Sequence, residues 1–545
     1  MPPAAVTVPD QQPQPSVRPL TRSAGLAGIA TLTSRILGLA RDQVLAALFG
    51  AGNEMDAFLV AFRVPNLVRD LFAEGAMSAA FVPTFTRHLT LHGKGDAWRL
   101  GNNVINALLI VTGALVLVGV LFAGPLVNAY AADFASVPGK IELTIRLTRV
   151  MLPFLTLVAI AAAAMGMLNS LHHYFIPALS PAMFNVATIV CAVTLVPLMP
   201  AIGQPGIMAI AVGALVGGAG QLALQWPSLR REGFRYRLSL DTADPGLRRV
   251  LILMGPGTIG LAAVQINLFV NTLLATSQGT GAVSWLNYAF RLMYLPIGLF
   301  GVSIATAVLP AVSGHAARDD LTGVRDTVAR GLAMMLMLNV PATFGLLALA
   351  TPIVQLLFER GRFDPRDTAM TAAALRFYAV GLIGYSAVRI VSPTFYALRQ
   401  SRVPVIVSIG TIVLNIVLSV ALVSTMGFRG LALGTSIAAL TNGAILVLML
   451  RRRLNGLDGK RLGLVVTKIA TASLVMTVVA GVIEQGLLAM VPGQHFGEQA
   501  LRLVVEIGGA LVALAAAAKL LRIREFDDAV ATLRARVTSR LRASS

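Results

Sequence analysis

Stretches of twenty or more apolar residues recur along this chain, and that repetition constrains its fold more than any single motif. In bilayer hydrocarbon every backbone N–H and C=O needs an internal partner, so an apolar stretch of roughly 20 residues reads as a spanning helix. Fourteen are expected, near 24–49, 56–86, 101–130, 144–170, 179–199, 206–229, 248–276, 282–312, 328–350, 369–397, 403–424, 429–450, 463–484 and 499–521. Charged residues make up 13% of the chain and hydrophobic ones 56%, against roughly 25% charged in a soluble domain. The expected class is an all-α polytopic membrane protein. Its net charge of +19 sits mostly in loops between apolar stretches, as topology requires, so nucleic acid is not an expected partner. Cys191 is the only cysteine, which excludes an intrachain disulfide and a cysteine-based metal site.

Alternate loops differ in charge. One set carries Arg87, Lys94 and Arg99, then the arginines of 230–249, then Arg318, Arg325 and Arg330, then Arg399 and Arg402, then Arg451, Arg452, Arg453, Lys460 and Arg461. The other set is poorer, except for Arg360, Arg362 and Arg366 in the loop 358–367. The rich side is cytoplasmic, and an even number of spans places both termini there. The expected organisation is a disordered cytoplasmic arm (1–22, rich in Pro and Gln, without the apolar core of a signal peptide), an N-lobe of six helices (23–232), a basic linker (233–247), a C-lobe of six helices (248–455), two extra helices (456–522) and a basic amphipathic tail (523–545). In the tail Phe526, Val530, Leu533, Val537 and Leu541 recur at helical spacing between arginines, a pattern suited either to the anionic inner leaflet or to packing on a cytoplasmic loop.

The two lobes rest on a weak internal repeat. Ala61-Phe62-Arg63 returns as Ala289-Phe290-Arg291, Leu71-Phe72 as Leu299-Phe300, Val82-Pro83 as Leu309-Pro310, and Leu171 with Pro177 as Leu398 with Pro404. Parallel repeats of this kind are related by a pseudo-two-fold axis along the membrane normal, with the substrate site between them.

Single cations interrupt these apolar stretches: Arg35, Arg41, Arg69 and Arg291, with Arg63 beside them. A cation at bilayer depth costs roughly 2.5–3.5 kcal/mol on insertion scales, so it faces a partner, water or a substrate. Arg35 and Asp42 stand seven residues apart on one helical face, and Asp56, Arg63 and Asp70 form a second seven-residue ladder that Glu74 continues. Those ladders predict neutralisation of Arg35 by Asp42 and of Arg63 by Asp70, leaving Arg41, Arg69 and Arg291 for an anion. Snorkelling of arginines to the headgroups is the alternative. The planar guanidinium fork matches phosphate, so a diphosphate headgroup is the expected ligand. Prolines inside apolar stretches, Pro65, Pro83, Pro153, Pro256, Pro296, Pro310 and Pro393, predict kinks or breaks. No phosphate-cradling loop followed by Lys-Ser/Thr is present, and no nucleophile–base pair stands out. His172-His173 has no ligand partner at metal spacing, and no metal site or cofactor is expected. The expected class is a transporter without catalytic residues.

Ser34-Arg35-Ile36-Leu37-Gly38-Leu39-Ala40-Arg41-Asp42, Asp56-Ala57-Phe58, Pro65-Asn66-Leu67-Val68-Arg69 and Phe72-Ala73-Glu74-Gly75-Ala76 together resemble the N-terminal signature of the MurJ/MviN lipid II flippases. Ser284-Trp285, Tyr288-Ala289-Phe290-Arg291-Leu292-Met293 with Leu295-Pro296, Leu357-Phe358-Glu359-Arg360-Gly361-Arg362-Phe363 and Pro393-Thr394-Phe395-Tyr396 fit the same family. The resemblance covers residues 23 to about 520. It implies fourteen transmembrane helices of the multidrug/oligosaccharidyl-lipid/polysaccharide exporter type, with the last two forming a groove for a lipid tail. It implies flipping of lipid II across the bacterial cytoplasmic (inner) membrane, for peptidoglycan synthesis. Functional cavity arginines match Arg35, Arg41, Arg69 and Arg291, and cavity-lining positions match Asp56, Asn66 and Ser284; Asp42 and Arg63, from the charge ladders, are further candidate substrate-binding residues. Membrane lipids and the cell-wall synthesis and division machinery are the implied partners. Where many members carry an acid, this chain has Phe290 and Tyr294, which leaves ionic coupling through those positions unsupported. Gln265, Asn267, Asn271 and Asn415 are polar without a motif that fixes an ion. The expected drive is the membrane potential or an ion. A polysaccharide-unit flippase, a cation-coupled drug exporter and a non-transporting membrane scaffold are the rival readings. A drug exporter would favour carboxylates over arginines, and a scaffold would favour a long partner-binding domain.

Overall fold

A computed structural model describes residues 17–70, 77, 80–298, 302–457, 459–490, 493, 495–527 and 530–531, with the side chains of 17–27, 68, 255–264, 302–303 and 460 left aside. Among the described residues the regular secondary structure is all helical. The order is α1 (Val17–Phe49), α2 (Asn53–Asp70), α3 (Val82–Leu121), α4 (Ala123–Ala131), α5 (Lys140–Met151), α6 (Phe154–Ser170), α7 (Phe175–Leu195), α8 (Met208–Arg231), α9 (Pro245–Thr276), α10 (Ala282–Pro296), α11 (Val302–Ala316), α12 (Leu321–Phe358), α13 (Pro365–Ala397), α14 (Arg402–Met426), α15 (Phe428–Arg453), α16 (Gly459–Met490) and α17 (Phe496–Leu520). Ten helical stretches among the described residues are long and apolar enough to cross a membrane. Described helical residues occur within each of the fourteen stretches expected from sequence. The weaker ones are those that carry charge or contain undescribed residues. Helix α1 begins at Val17, inside the segment expected to be an arm. The repeat matches at Leu71-Phe72 and Leu299-Phe300, the residues Glu74, Gly75 and Ala76, the arm before residue 17 and the tail positions Leu533, Val537 and Leu541 lie outside the described residues.

Local chemistry explains several boundaries. Asp320 caps α12 by accepting from the Gly323 N–H at 2.8 Å. Asp364 caps α13 by accepting from the Asp367 N–H at 2.8 Å, with Pro365 at the first helical position, where its missing N–H costs nothing. Pro153 divides one membrane stretch into α5 and α6. Helix α12 kinks at Leu349, three residues before Pro352, as expected where a proline ring opposes the preceding turn.

The chain forms two compact units, each discontinuous in sequence. The first holds residues 1–41, 68–117 and 153–255. Its core is an aromatic run: Phe81 to Phe85 at 5.4 Å between ring centroids, Phe85 to Trp98 at 5.7 Å and Trp98 to Phe234 at 5.3 Å. Phe234 belongs to the segment 233–247, expected to be a linker. That segment is laced to α3 by three asparagines. Asn102 accepts from the Arg237 N–H at 2.9 Å and donates to the Arg235 carbonyl at 3.1 Å. Asn106 donates to the carbonyls of Arg237 and Ser239, both at 2.8 Å. Asn103 donates to Asp244 at 2.7 Å. Extended backbone outside a sheet needs such partners, and the side-chain amides supply them.

The second unit holds residues 42–67, 118–152 and 256–545. One apolar cluster joins α11, α12, α13 and α15 through Val328, Leu332, Val391, Phe395 and Leu446. Another joins α12 to α16 and α17 through Met337, Ile469, Ala472, Leu514 and Ala518, with Phe526 packed on it. Helices α13 and α15 meet through small residues. A Cβ at Gly384 would collide with the Ala439 carbonyl, and the Ser436 hydroxyl donates to the Phe377 carbonyl at 2.7 Å. Such crossings replace the hydrophobic drive that lipid cannot supply.

Candidate functional site

Asp56, in the first turn of α2, is 0% exposed. A buried carboxylate must be saturated with donors, and this one is. Oδ2 accepts from the Gly281 N–H at 2.7 Å and from Lys140 Nζ at 3.0 Å. Oδ1 accepts from the Ser284 N–H at 3.1 Å and from the Ser284 hydroxyl at 2.7 Å. Gly281 is the N-cap of α10 and Ser284 its third residue, so Asp56 caps the first turn of α10 from outside. It satisfies orphan N–H groups and sits at the positive end of the helix dipole. Lys140 opens α5, is itself buried, and lies 4.0 Å over the Phe134 ring centroid. The ion pair adds no net charge.

A second set of bonds surrounds this clasp. Asp367 accepts from the Ala51 N–H and from Trp285 Nε1, both at 2.9 Å. The Arg362 N–H donates to the Ala47 carbonyl at 2.8 Å, and its guanidinium reaches Glu54 at 3.2 Å. Backbone meets backbone here, so both turns need glycine. Gly50 (φ +61) faces the Arg362 carbonyl, and Gly361 (φ +59) faces the Ala47 carbonyl, with no room for a Cβ at either. The arginines of the loop 358–367 thus have local work. Arg362 pairs with Glu54, and Arg360 lies 4.3 Å over the Phe496 ring centroid. That accounts for the one loop whose charge ran against the alternation.

The cations show a different pattern. Asp42, two turns before the end of α1, receives Arg291 of α10 at 2.5 Å, and the Arg291 side chain is still 42% exposed. Arg291 also donates to Asn287 on its own helix at 3.2 Å. Asp70 receives its chain neighbour Arg69 at 2.7 Å. The seven-residue ladders predicted Arg35 for Asp42 and Arg63 for Asp70. Asp42 instead reaches a helix distant in sequence, which no periodicity within α1 could have indicated. Arg63 donates to the Thr272 hydroxyl of α9 at 3.1 Å. Arg41 is 7% exposed, with its guanidinium carbon 5.3 Å from the Phe184 ring centroid. Arg35 is exposed and Asn66 half-buried. Arg35, Arg41 and Arg69 belong to the first unit, while Arg63, Arg291, Asp42, Asp56, Asn66 and Ser284 belong to the second. The structure therefore brings together Asp42 with Arg291, and Asp56 with Ser284.

Sequence reasoning missed Lys140, Trp285 and Asp367, which complete the clasp, and Arg389 on α13. Lys140 lies 84 residues from Asp56, at a loop edge where a lysine draws no notice. Arg389 donates to the Tyr294 hydroxyl at 3.3 Å. Tyr294 continues an aromatic ladder: Phe290 lies 5.3 Å from Tyr294 and 5.4 Å from Tyr378. Aromatic packing thus fills the two positions where related chains were expected to carry acids. The polar residues of α9 and α14 also converge. Asn415 donates to Asn267 at 2.7 Å, and the Ser419 hydroxyl donates to Asn271 at 3.1 Å. These groups are neutral amides and a hydroxyl that satisfy one another.

A family model described as lipid II flippase MurJ matches residues 45–500. A probable lipid II flippase MurJ of Vibrio cholerae is 35% identical over 437 residues, covering 78% of this chain and 82% of that protein. One from Bdellovibrio bacteriovorus is 37% identical over 433 residues, covering 79% and 82%. Among solved structures, a lipid II flippase MurJ in an inward closed conformation superposes with a TM-score of 0.75 at 28% identity, covering 91% of this chain and 99% of that one. An inward-facing multidrug transporter of the MATE family, MOP superfamily, superposes with a TM-score of 0.66 at 17% identity, covering 79% and 99%, a likeness of fold alone.

Proposed function

The chain belongs to the lipid II flippase MurJ family, and from that premise we propose how its own residues move a lipid-linked anion across the membrane. It is a lipid II flippase of peptidoglycan biosynthesis, a multi-pass membrane transporter and not an enzyme. The proposal assigns it fourteen spans, two six-helix lobes of one orientation, two further helices for the lipid tail, and cytoplasmic termini in the bacterial inner membrane. Proteins of wall synthesis and division would be its neighbours.

The observation that carries the mechanism is helix α10. Its first turn is held by Asp56, and Arg291 lies seven residues further on, roughly 10 Å along the axis. One rigid element thus joins a closed clasp to an exposed cation. Asp42 occupies Arg291 as a carboxylate standing where a phosphate can bind. A diphosphate entering from the cytoplasmic side exchanges one anion for another on Arg291, and Arg35, Arg41 and Arg69 are assigned to substrate binding as well. Releasing Asp42 lets α10 shift, and that movement unfastens Asp56. The clasp involves the arginine-poor loops, so it closes the outer end while the headgroup loads within.

The repeat supports the lobe symmetry. Asp56 and Ser284 are 228 residues apart, the same offset that relates Arg63 to Arg291. Positions equivalent by a two-fold touch one another only near its axis. The clasp would therefore lie on the axis about which the lobes rock in alternating access. An inside-negative potential favours outward passage of the anion by about 2.3 kcal/mol per charge per 100 mV, roughly 4–5 kcal/mol for two phosphate charges. No separate coupling ion is then required.

The test is lipid II translocation in cells depleted of their own flippase and supplied with this chain, wild type beside Arg41→Ala. Restoration by the wild type alone is expected. Equal restoration by the variant, at equal membrane expression, would remove the cationic site from the mechanism.

A further inference from the structure

At the kink of α3, two histidines and an aspartate turn their donor atoms toward one another, and we propose that this is a binding site for a divalent transition cation of the zinc class. The inference is independent of the transport reading. His88 and His92 stand one helical turn apart on the first arm of α3. The helix then breaks at Gly93, whose backbone (φ 79°, ψ −179°) is far from helical. Asp96 opens the second arm. The donor atoms of the three side chains all lie within 4.8 Å of one another. His88 Nδ1 is 2.6 Å from Asp96 Oδ2, and His92 Nδ1 is 3.8 Å from the same oxygen. Tetrahedral zinc with bonds of about 2.0–2.2 Å spaces its donors roughly 3.3 Å apart, between those two values. Small rotations of Asp96 and of His92, whose side chain is 60% exposed, bring both distances to that spacing. Two imidazoles and one carboxylate leave a fourth position for water, and the exposure of His92 gives a cation a route from solution.

The turn is also held in place before any cation arrives. Lys94, between Gly93 and Gly95, reaches Glu232 Oε2 at 2.8 Å, and Glu232 Oε1 meets His173 Nε2 at 2.8 Å. On the other side His88 lodges against the first turn of α9, where a Cβ on Gly246 would come within 2.9 Å of its Nε2. Preorganised donors lose little freedom on binding. The adjacent pair His172-His173 is not part of this site; its partners are Tyr174 and Glu232. The productive spacing was His88, His92 and Asp96, four residues apart each time, with a glycine break that folds the third donor back. A bound cation would tie the two arms of α3 together and add its binding energy to the stability of the kink.

The experiment uses the full chain purified in detergent with a tag free of histidine, stripped by a chelator, and titrated with Zn²⁺ by calorimetry and with Co²⁺ by visible absorbance. We expect one equivalent of Zn²⁺ that displaces Co²⁺, tetrahedral Co²⁺ bands and a raised thermal midpoint. Binding should weaken at least tenfold in His88→Ala, His92→Ala and Asp96→Asn, and stay unchanged in His315→Ala and His495→Ala. His92 is a surface residue, so its variant keeps the fold and reads binding alone. Absence of saturable binding by the wild type, or full binding by His92→Ala, would overturn the site.

Discussion

Charge enters the apolar part of this molecule in two ways, and the contrast between them separates holding from binding. At the clasp, Asp56 is fully buried and every oxygen has donors, including a buried lysine. At Arg291 the ion pair with Asp42 leaves the cation 42% exposed. A buried pair stripped of one partner leaves an uncompensated charge that costs several kcal/mol. In the second pair Asp42 is buried while Arg291 is half exposed. The first arrangement therefore hides both charges, while the second leaves its cation open to another anion.

The largest expected effect falls on the binding side. Arg291→Ala should leave the protein inserted and folded yet cut lipid II translocation about a hundredfold, the equivalent of roughly 3 kcal/mol of charge-assisted bonding. Translocation in flippase-depleted cells, normalised to membrane expression, reads it. Wild-type transport by this variant would erase the distinction between the regions. Asp56→Ala should do the reverse, loosening the closed state by roughly 3–5 kcal/mol because Lys140 is left alone. A cysteine at Met55, 2% exposed, placed in a Cys191→Ser background, should then react with an impermeant thiol reagent that barely touches it beside Asp56. Unchanged labelling would mean that the clasp does not hold that end shut.

A smaller change is expected from Gly361→Ala, which puts a Cβ against the Ala47 carbonyl at a positive φ. Roughly 1–3 kcal/mol of strain should lower the thermal midpoint without affecting Arg291. The smallest effect lies outside both regions. Hydrogen bonds from Lys94 and His173 hold the Glu232 carboxyl below its ordinary value of 4.5. Its contribution is complete above that pH and is lost as pH falls through the depressed value. Exposed pairs of this type are worth about 0.2–1 kcal/mol. Glu232→Gln should therefore flatten the acid limb of a melting-temperature profile only slightly, and a large change would show that the turn of α3 matters more than its exposure suggests.

The helices were legible because lipid leaves the backbone no alternative, and the arginines because one cation in an apolar run is conspicuous. What stayed hidden was pairing across sequence distance. Asp42 faces Arg291 from 249 residues away, and Lys140 meets Asp56 from a loop. Helical periodicity compares neighbours on one helix, so it cannot see either pair. The segment 233–247 looked like a linker for a similar reason. Its composition is polar, and only Asn102, Asn103 and Asn106, clustered at the entry of an apolar helix, hinted that α3 would grip it. The arginines of the loop 358–367 broke the charge alternation because one of them pairs with Glu54.

The neutrality of the clasp also bears on the energy economy of the cell. A transporter that admits a charged headgroup must still be an insulator while it waits, or it would discharge the gradient that drives it. Asp56 and Lys140 form a pair of zero net charge whose donors and acceptors are spent on each other and on α10. A passing proton or metal ion finds no vacant ligand there. Under the proposed mechanism, the same bonds that hold the clasp closed would also spare the voltage proposed to carry the headgroup outward.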